Sequence, residues 1–169
     1  MFSFFKKKKS VKNTLEVKSA YQAAPGTEIR FNPHLVNKLE DDHQELLEVF
    51  GEINIAFAAS NYPLVLERLK AFKRGFLDHI LVENVSLYVY MKSAFKDHNE
   101  NTELVQEFRS EMDGIGKAVR AFLAKYEKVG LDKESAPTFE KEISGIGEAL
   151  VARIEREEAT LYPLYNSIH

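Results

Sequence analysis

GFLDHILVENVSLYVY, Gly75 to Tyr90, decides how this chain is read, because its two inward polar residues stand where a helix of this register is apolar. Leu69, Phe72, Phe76, His79, Glu83, Leu87 and Tyr90 recur in steps of three and four, the period of one buried helical face. His79 and Glu83 are therefore expected to point into the core. An ionised carboxylate buried alone costs several kcal/mol, so Glu83 requires a metal ion, a cation or a proton inside the fold.

Three more stretches carry the same period. The first begins at Asn32-Pro33, a cap residue followed by proline, and runs to about Ser60 with Leu35, Leu39, His43, Leu46, Phe50, Ile53 and Phe57 on one face. His43 thus occupies a core slot. The helix holding Gly75–Tyr90 is expected from Asn61-Tyr62-Pro63 to about Phe95 by the same cap-and-proline logic. After a polar loop, Asp97 to Thr102, a third pattern carries Leu104, Phe108, Met112, Ile115, Val119 and Phe122 and stops near Gly130, which suits a left-handed cap. The fourth starts around Ser135–Thr138 and carries Ile143, Ile146, Leu150, Arg153, Glu157, Leu161 and Leu164, with Pro163 disturbing its last turn. Four helices joined by short loops predict an all-α, up-down-up-down antiparallel four-helix bundle over residues 32–169. Residues 1–31 are expected to form a basic tail and an irregular arm.

Composition narrows the chemistry. The 169 residues, 44% hydrophobic, suffice for one domain with a full core. There is no cysteine, which excludes disulfides, thiolate metal sites and cysteine nucleophiles and leaves His, Glu, Asp and Tyr as the available ligands. Charges interrupt every long apolar run, so no transmembrane helix is expected and the protein is expected in the cytoplasm. Net charge is −3, and the five lysines and no acid of residues 1–12 leave −8 on the remainder. So acidic a body argues against a nucleic-acid partner. MFSFFKKKK, residues 1–9, offers at most weak contact with an anionic membrane surface.

The two halves of the chain can be overlaid. LVNKLEDDH, Leu35 to His43, aligns with LVQEFRSEM, Leu104 to Met112, and HILVENVSLY, His79 to Tyr88, aligns with RIEREEATLY, Arg153 to Tyr162. The overlay gathers His43, His79 with Glu83, Met112, and Arg153 with Glu157 into one layer.

A His on one helix, followed by H-x-x-x-E and Leu-Tyr on the next, resembles the hemerythrin-like (HHE cation-binding) family over about residues 33–166. The resemblance implies a four-helix bundle with a non-haem di-iron centre for oxygen binding or sensing, held by histidines on all four helices and by bridging carboxylates. His43, His79, Glu83, Glu157 and the endings LYVY and LYPLY match that pattern, whereas Met112 and Arg153 stand where the family has histidines. A di-iron centre is accordingly disfavoured. A looser resemblance links IGEALVARIEREEATL, Ile146 to Leu161, and FLDHILVENVSLY to the regulator-of-sigma-D anti-sigma family, which implies a protein-binding module with a transcription or signalling partner.

Two occupants of the layer remain open. His43, His79, Glu83 and Glu157 can hold a single iron, manganese or zinc ion. Alternatively no metal is bound, and Arg153 forks onto Glu83 and Glu157 while one protonated imidazole completes the charge balance. No Ser-His-Asp arrangement or phosphate loop is found, and the expectation is a non-enzymatic regulatory or sensory protein. The alternatives are an iron protein handling oxygen, nitric oxide or iron, and the anti-sigma-like module. His34, His98 and His169 are expected to be solvated, and Tyr88, Tyr90, Tyr162 and Tyr165 to turn their hydroxyls toward water at the bundle end. The glycines of GIGKA, Gly114 to Ala118, and GIGEA, Gly145 to Ala149, are expected to allow close approach of neighbouring backbones.

Overall fold

A computed structural model describes Ala23 and residues 27–168. Helix α1 spans Leu35–Ala58 and α2 Tyr62–Val82; a π-helical turn, Glu83–Tyr88, then leads into α3, Val89–Ala94. Helix α4 spans Asn99–Val129 and α5 Ala136–Arg156; a second π-helical turn, Glu157–Leu161, leads into α6, Tyr162–Asn166. Since α3 and α6 continue the helices before them, the architecture is the expected all-α four-helix bundle. Among the described residues there is no strand, and Ala23 and Arg30 form one isolated antiparallel bridge. The expected tail and most of the arm, with the membrane-surface contact of residues 1–9 and the solvation of His169, lie outside the described residues.

Local chemistry explains the ends. Asn61 caps α2 by accepting from the backbone N–H of Leu64, with Pro63 in the first turn. Asn32 acts differently: its side chain accepts from the N–H of His34 and shapes a turn, so α1 starts at Leu35 and not directly at Pro33. Gly130 stops α4 with φ of 73°, a conformation costly for residues with a Cβ. Pro163 lacks the N–H that an α-helix needs. The helix departs from α geometry already at Glu157, six residues earlier.

Two apolar clusters fill the bundle. One contains Leu46, Ile53, Phe72, Phe76, Met112, Val119, Phe139 and Leu150, and the other Leu35, Leu39, Leu87, Tyr88, Phe108, Leu161, Tyr162 and Tyr165. In sequence, His43 falls between Leu39 and Leu46, His79 and Glu83 between Phe76 and Leu87, and Arg153 and Glu157 between Leu150 and Leu161. The polar layer therefore separates the two clusters, each of which keeps its own apolar contacts.

The glycine expectation needs correction. A Cβ on Gly147 would meet the ring of Phe50 at 2.8 Å, so this glycine admits a side chain, not a backbone. Gly114 and Gly145 have open space where a Cβ would lie.

Candidate metal centre

α1 supplies His43, α2 supplies His79, and α5 supplies Arg153; Glu83 and Glu157 are each the first residue of a π-helical turn. All five are buried, none more than 3% exposed. π-Helical turns are uncommon and concentrate at functional sites. Here both begin at positions that the sequence overlay makes equivalent, so the internal repeat extends to the irregularity of the backbone.

His43, His79 and Glu157 each present a possible ligand atom, and these atoms lie within 4.8 Å of one another. Nε2 of His43 is 3.2 Å from Oε2 of Glu157, and Nε2 of His79 is 3.9 Å from Oε2 of Glu83. The two imidazole centroids are 4.7 Å apart. Oε2 of Glu83 and Nδ1 of His79 are buried without a hydrogen-bond partner. Unpartnered polar atoms at that depth are costly and require an explanation.

Arg153 lies at the same level. Its Nε donates to Oε1 of Glu157 at 2.5 Å, Nη1 to Oε2 of Glu111 at 3.0 Å and Nη2 to the hydroxyl of Tyr88 at 2.7 Å. Its guanidinium carbon sits 4.7 Å from the centroid of the Phe108 ring. The expected fork onto Glu83 and Glu157 is thus half wrong. Glu157 is engaged, but the other partners are Glu111 and Tyr88, because the guanidinium turns toward α4 and away from the imidazoles.

Electrostatics follow from this placement. Burial works against a charge on His43, yet hydrogen bonds and charges from Glu157 and Glu158 outweigh it and raise its pKa. Burial and the neighbouring charge of His43 lower His79 to about 4, so its ring is neutral at pH 7. Burial and the charge of Glu157 push Glu83 well above the usual carboxylate range, despite opposition from Arg153 and Tyr162. Burial also opposes ionisation of Glu157, but His43 and Arg153 prevail and lower its pKa. A charged His43, a charged Arg153, an ionised Glu157 and a protonated Glu83 describe the ion-free layer.

Of the sequence-predicted site residues, His43, His79, Glu83, Arg153 and Glu157 come together. Met112 is buried at the edge of the layer within the apolar cluster of Leu46 and Phe76, and α4 reaches Arg153 through Glu111. The tyrosine expectation is corrected as well. Tyr88, Tyr90, Tyr162 and Tyr165 are all buried. The Tyr162 hydroxyl donates to Glu83 and lies 3.2 Å from Nε2 of His43, and the Tyr165 hydroxyl bonds the backbone of Asn32. His34 and His98 are exposed as expected.

Sequence reasoning missed five contributors: Asp42, Glu111, Glu158 and the phenols of Tyr88 and Tyr162. Glu158 bonds Nδ1 of His43 at 2.9 Å, so two consecutive glutamates at the start of one π-helical turn flank a single imidazole. The sequence signal for the three acids was proximity to a predicted ligand, and for the two tyrosines the Leu-Tyr repeated in each half. Asp42, Glu111 and Glu158 are next to the predicted positions 43, 112 and 157.

Searches against curated proteins and against solved structures find no match. The family model described as "Hemerythrin HHE cation binding domain" matches residues 34–165, most of the chain and every residue of the polar layer. The chain therefore belongs to the hemerythrin HHE cation-binding domain family.

Proposed function

We propose that this protein is a non-enzymatic, sensory or regulatory bundle that binds one divalent cation at His43, His79, Glu83 and Glu157. The observation that carries the reading is the convergence of His43, His79 and Glu157 beside the unpartnered Oε2 of Glu83. Two imidazoles and two carboxylates suit iron, manganese or zinc. Binding would relieve Glu83 of its proton and remove the proton that His43 carries toward Glu157.

The donor set fits one ion and not two. Glu157 turns Oε2 toward His43 and gives Oε1 to Arg153, so the guanidinium occupies the side where a second cation would share that carboxylate. Met112 offers only a thioether in an apolar cluster. Arg153 is a permanent charge held by three partners, and a second ion would have to displace it.

A bound cation supplies Lewis acidity and, for iron, redox chemistry. The chain's own residues fix the rest. Tyr162 ties His43 to Glu83, Tyr88 and Glu111 hold Arg153 off the imidazoles, and the apolar clusters on both sides exclude water. With its five polar residues almost fully buried, the layer presents no open face to a larger substrate, which favours sensing over turnover.

Titration of chelator-stripped protein with Fe²⁺, Mn²⁺ and Zn²⁺, followed by elemental analysis, tests the reading. The expected stoichiometry is one ion per chain, lost in His43→Ala and in His79→Ala and raised to two in the Met112→His, Arg153→His double variant. Two ions bound by the unaltered chain, or none, would overturn it.

A further inference from the structure

We propose that Asp42 and Glu158 form the mouth through which a divalent cation reaches the buried layer, and that Glu158 holds His43, and Asp42, when released by Lys38, holds His79, with Nε2 turned inward. The proposal rests on the single-ion reading above.

Each buried histidine has one nitrogen facing the layer and the other facing an acid at the protein's rim. On His43, Nε2 faces Glu157 and Nδ1 meets Glu158 at 2.9 Å. On His79, Nε2 faces Glu83 and Nδ1 lies 3.7 Å from Oδ2 of Asp42. The acids cross between helices: Glu158, in the second π-helical turn, serves the histidine of α1, and Asp42, on α1, serves that of α2. A carboxylate on Nδ1–H fixes the tautomer that leaves the Nε2 lone pair free for an ion. Because the rings are adjacent, Asp42 and Glu158 flank the same pair from outside.

Both acids are accessible, with side chains 22% and 41% exposed, while the rings behind them are at most 4% exposed. The unpartnered Nδ1 of His79 is the second sign of an unfinished site. Asp42 stops short of it and bonds Lys38 at 2.5 Å instead. Lys38 therefore acts as a latch that competes with His79 for Asp42.

The arginine side of the layer is less attractive to cations. There Glu111 is shared by Arg153 and Arg156, at 3.0 and 2.5 Å, and both guanidiniums stack against Phe108. Arg156 also engages Glu107. On that side two guanidiniums are balanced by Glu107 and Glu111, whereas on the other two carboxylates outnumber the single charge of Lys38, so an arriving cation is drawn to Asp42 and Glu158.

Stopped-flow mixing of the metal-stripped full chain with Co²⁺, read by cobalt absorption, tests this. Asp42→Asn and Glu158→Gln are each expected to slow association about tenfold, and the pair more. Lys38→Met is expected to accelerate it, and Glu107→Gln, on the arginine side, to leave it unchanged. Glu158→Gln should also shift the cobalt spectrum, because the tautomer of His43 is no longer held by a charge. The faster Lys38→Met variant keeps the test independent of any loss of folding. Association within about twofold of the unaltered chain in both acid variants, or equal slowing in Glu107→Gln, would overturn the mouth while leaving the ion site standing. Failure of the unaltered chain to take up Co²⁺ would overturn both.

Discussion

Arg153 and Glu157, one helical turn apart and both buried, are joined by a 2.5 Å hydrogen bond from Nε to Oε1. The arginine also donates to Glu111 and Tyr88 and lies over Phe108. Truncating one partner of a buried, hydrogen-bonded pair leaves the other charge uncompensated. Arg153→Ala is therefore expected to destabilise the ion-free protein by about 3–5 kcal/mol, read as a lowered midpoint in urea. An unchanged midpoint would show that Glu157 finds its compensation elsewhere.

Tyr162 joins His43 to Glu83 through one hydroxyl. Tyr162→Phe keeps the ring and removes the donor, so Oε1 of Glu83 joins Oε2 among the unpartnered buried atoms. The expected loss is about 1–3 kcal/mol without added cation. Saturating Zn²⁺ should recover part of it if Glu83 is a ligand, and thermal unfolding with and without the ion measures the difference.

Stability should depend on pH through His79. Its folded pKa of about 4 lies below the 6.5 of an unfolded histidine, so the unfolded chain binds the extra proton first. The contribution is complete above pH 6.5 and is lost as pH falls from 6.5 to about 4. His79→Gln should flatten that part of the profile in chelator-treated protein. The raised pKa of His43 has the opposite sign: its contribution is present below pH 6.5 and is lost as pH rises through the folded value. Chemical denaturation across pH 4–9 separates the two limbs.

The paired glycines of α5 should respond differently. A Cβ at Gly145 meets nothing within 4 Å, so Gly145→Ala is expected to stabilise the protein by roughly 0.5–1 kcal/mol through helix propensity. At Gly147 the Cβ would come within 2.8 Å of the Phe50 ring, and displacing that ring offsets the gain. Gly147→Ala should therefore be at least about 1 kcal/mol less stable than Gly145→Ala, and equal thermal midpoints would contradict the contact.

The bundle and the composition of its polar layer were legible because helical periodicity is a local property. His43, His79, Glu83, Arg153 and Glu157 stand in core slots that can be counted along the chain, and all five are buried. Met112 also occupies a core slot, but counting could not show that its thioether belongs to the apolar cluster while Glu111 reaches the arginine. The tyrosines misled for a related reason. An amphipathic ring near a helix end is compatible with water or with the core, and only the neighbours of Tyr88 and Tyr162 supply the polar partners that permit burial.

The sequence by itself determined the fold, the depth of the layer and the identity of its inward residues, since each follows from spacing within one helix. The tertiary structure alone decided how those residues pair. The direction of the Arg153 fork, the neutral His79 beside a charged His43, and the outer carboxylates of Asp42 and Glu158 depend on atoms brought together from different helices. Hydrogen bonds and charge interactions of that kind act over a few ångströms in space, whereas the chain records only distance along itself.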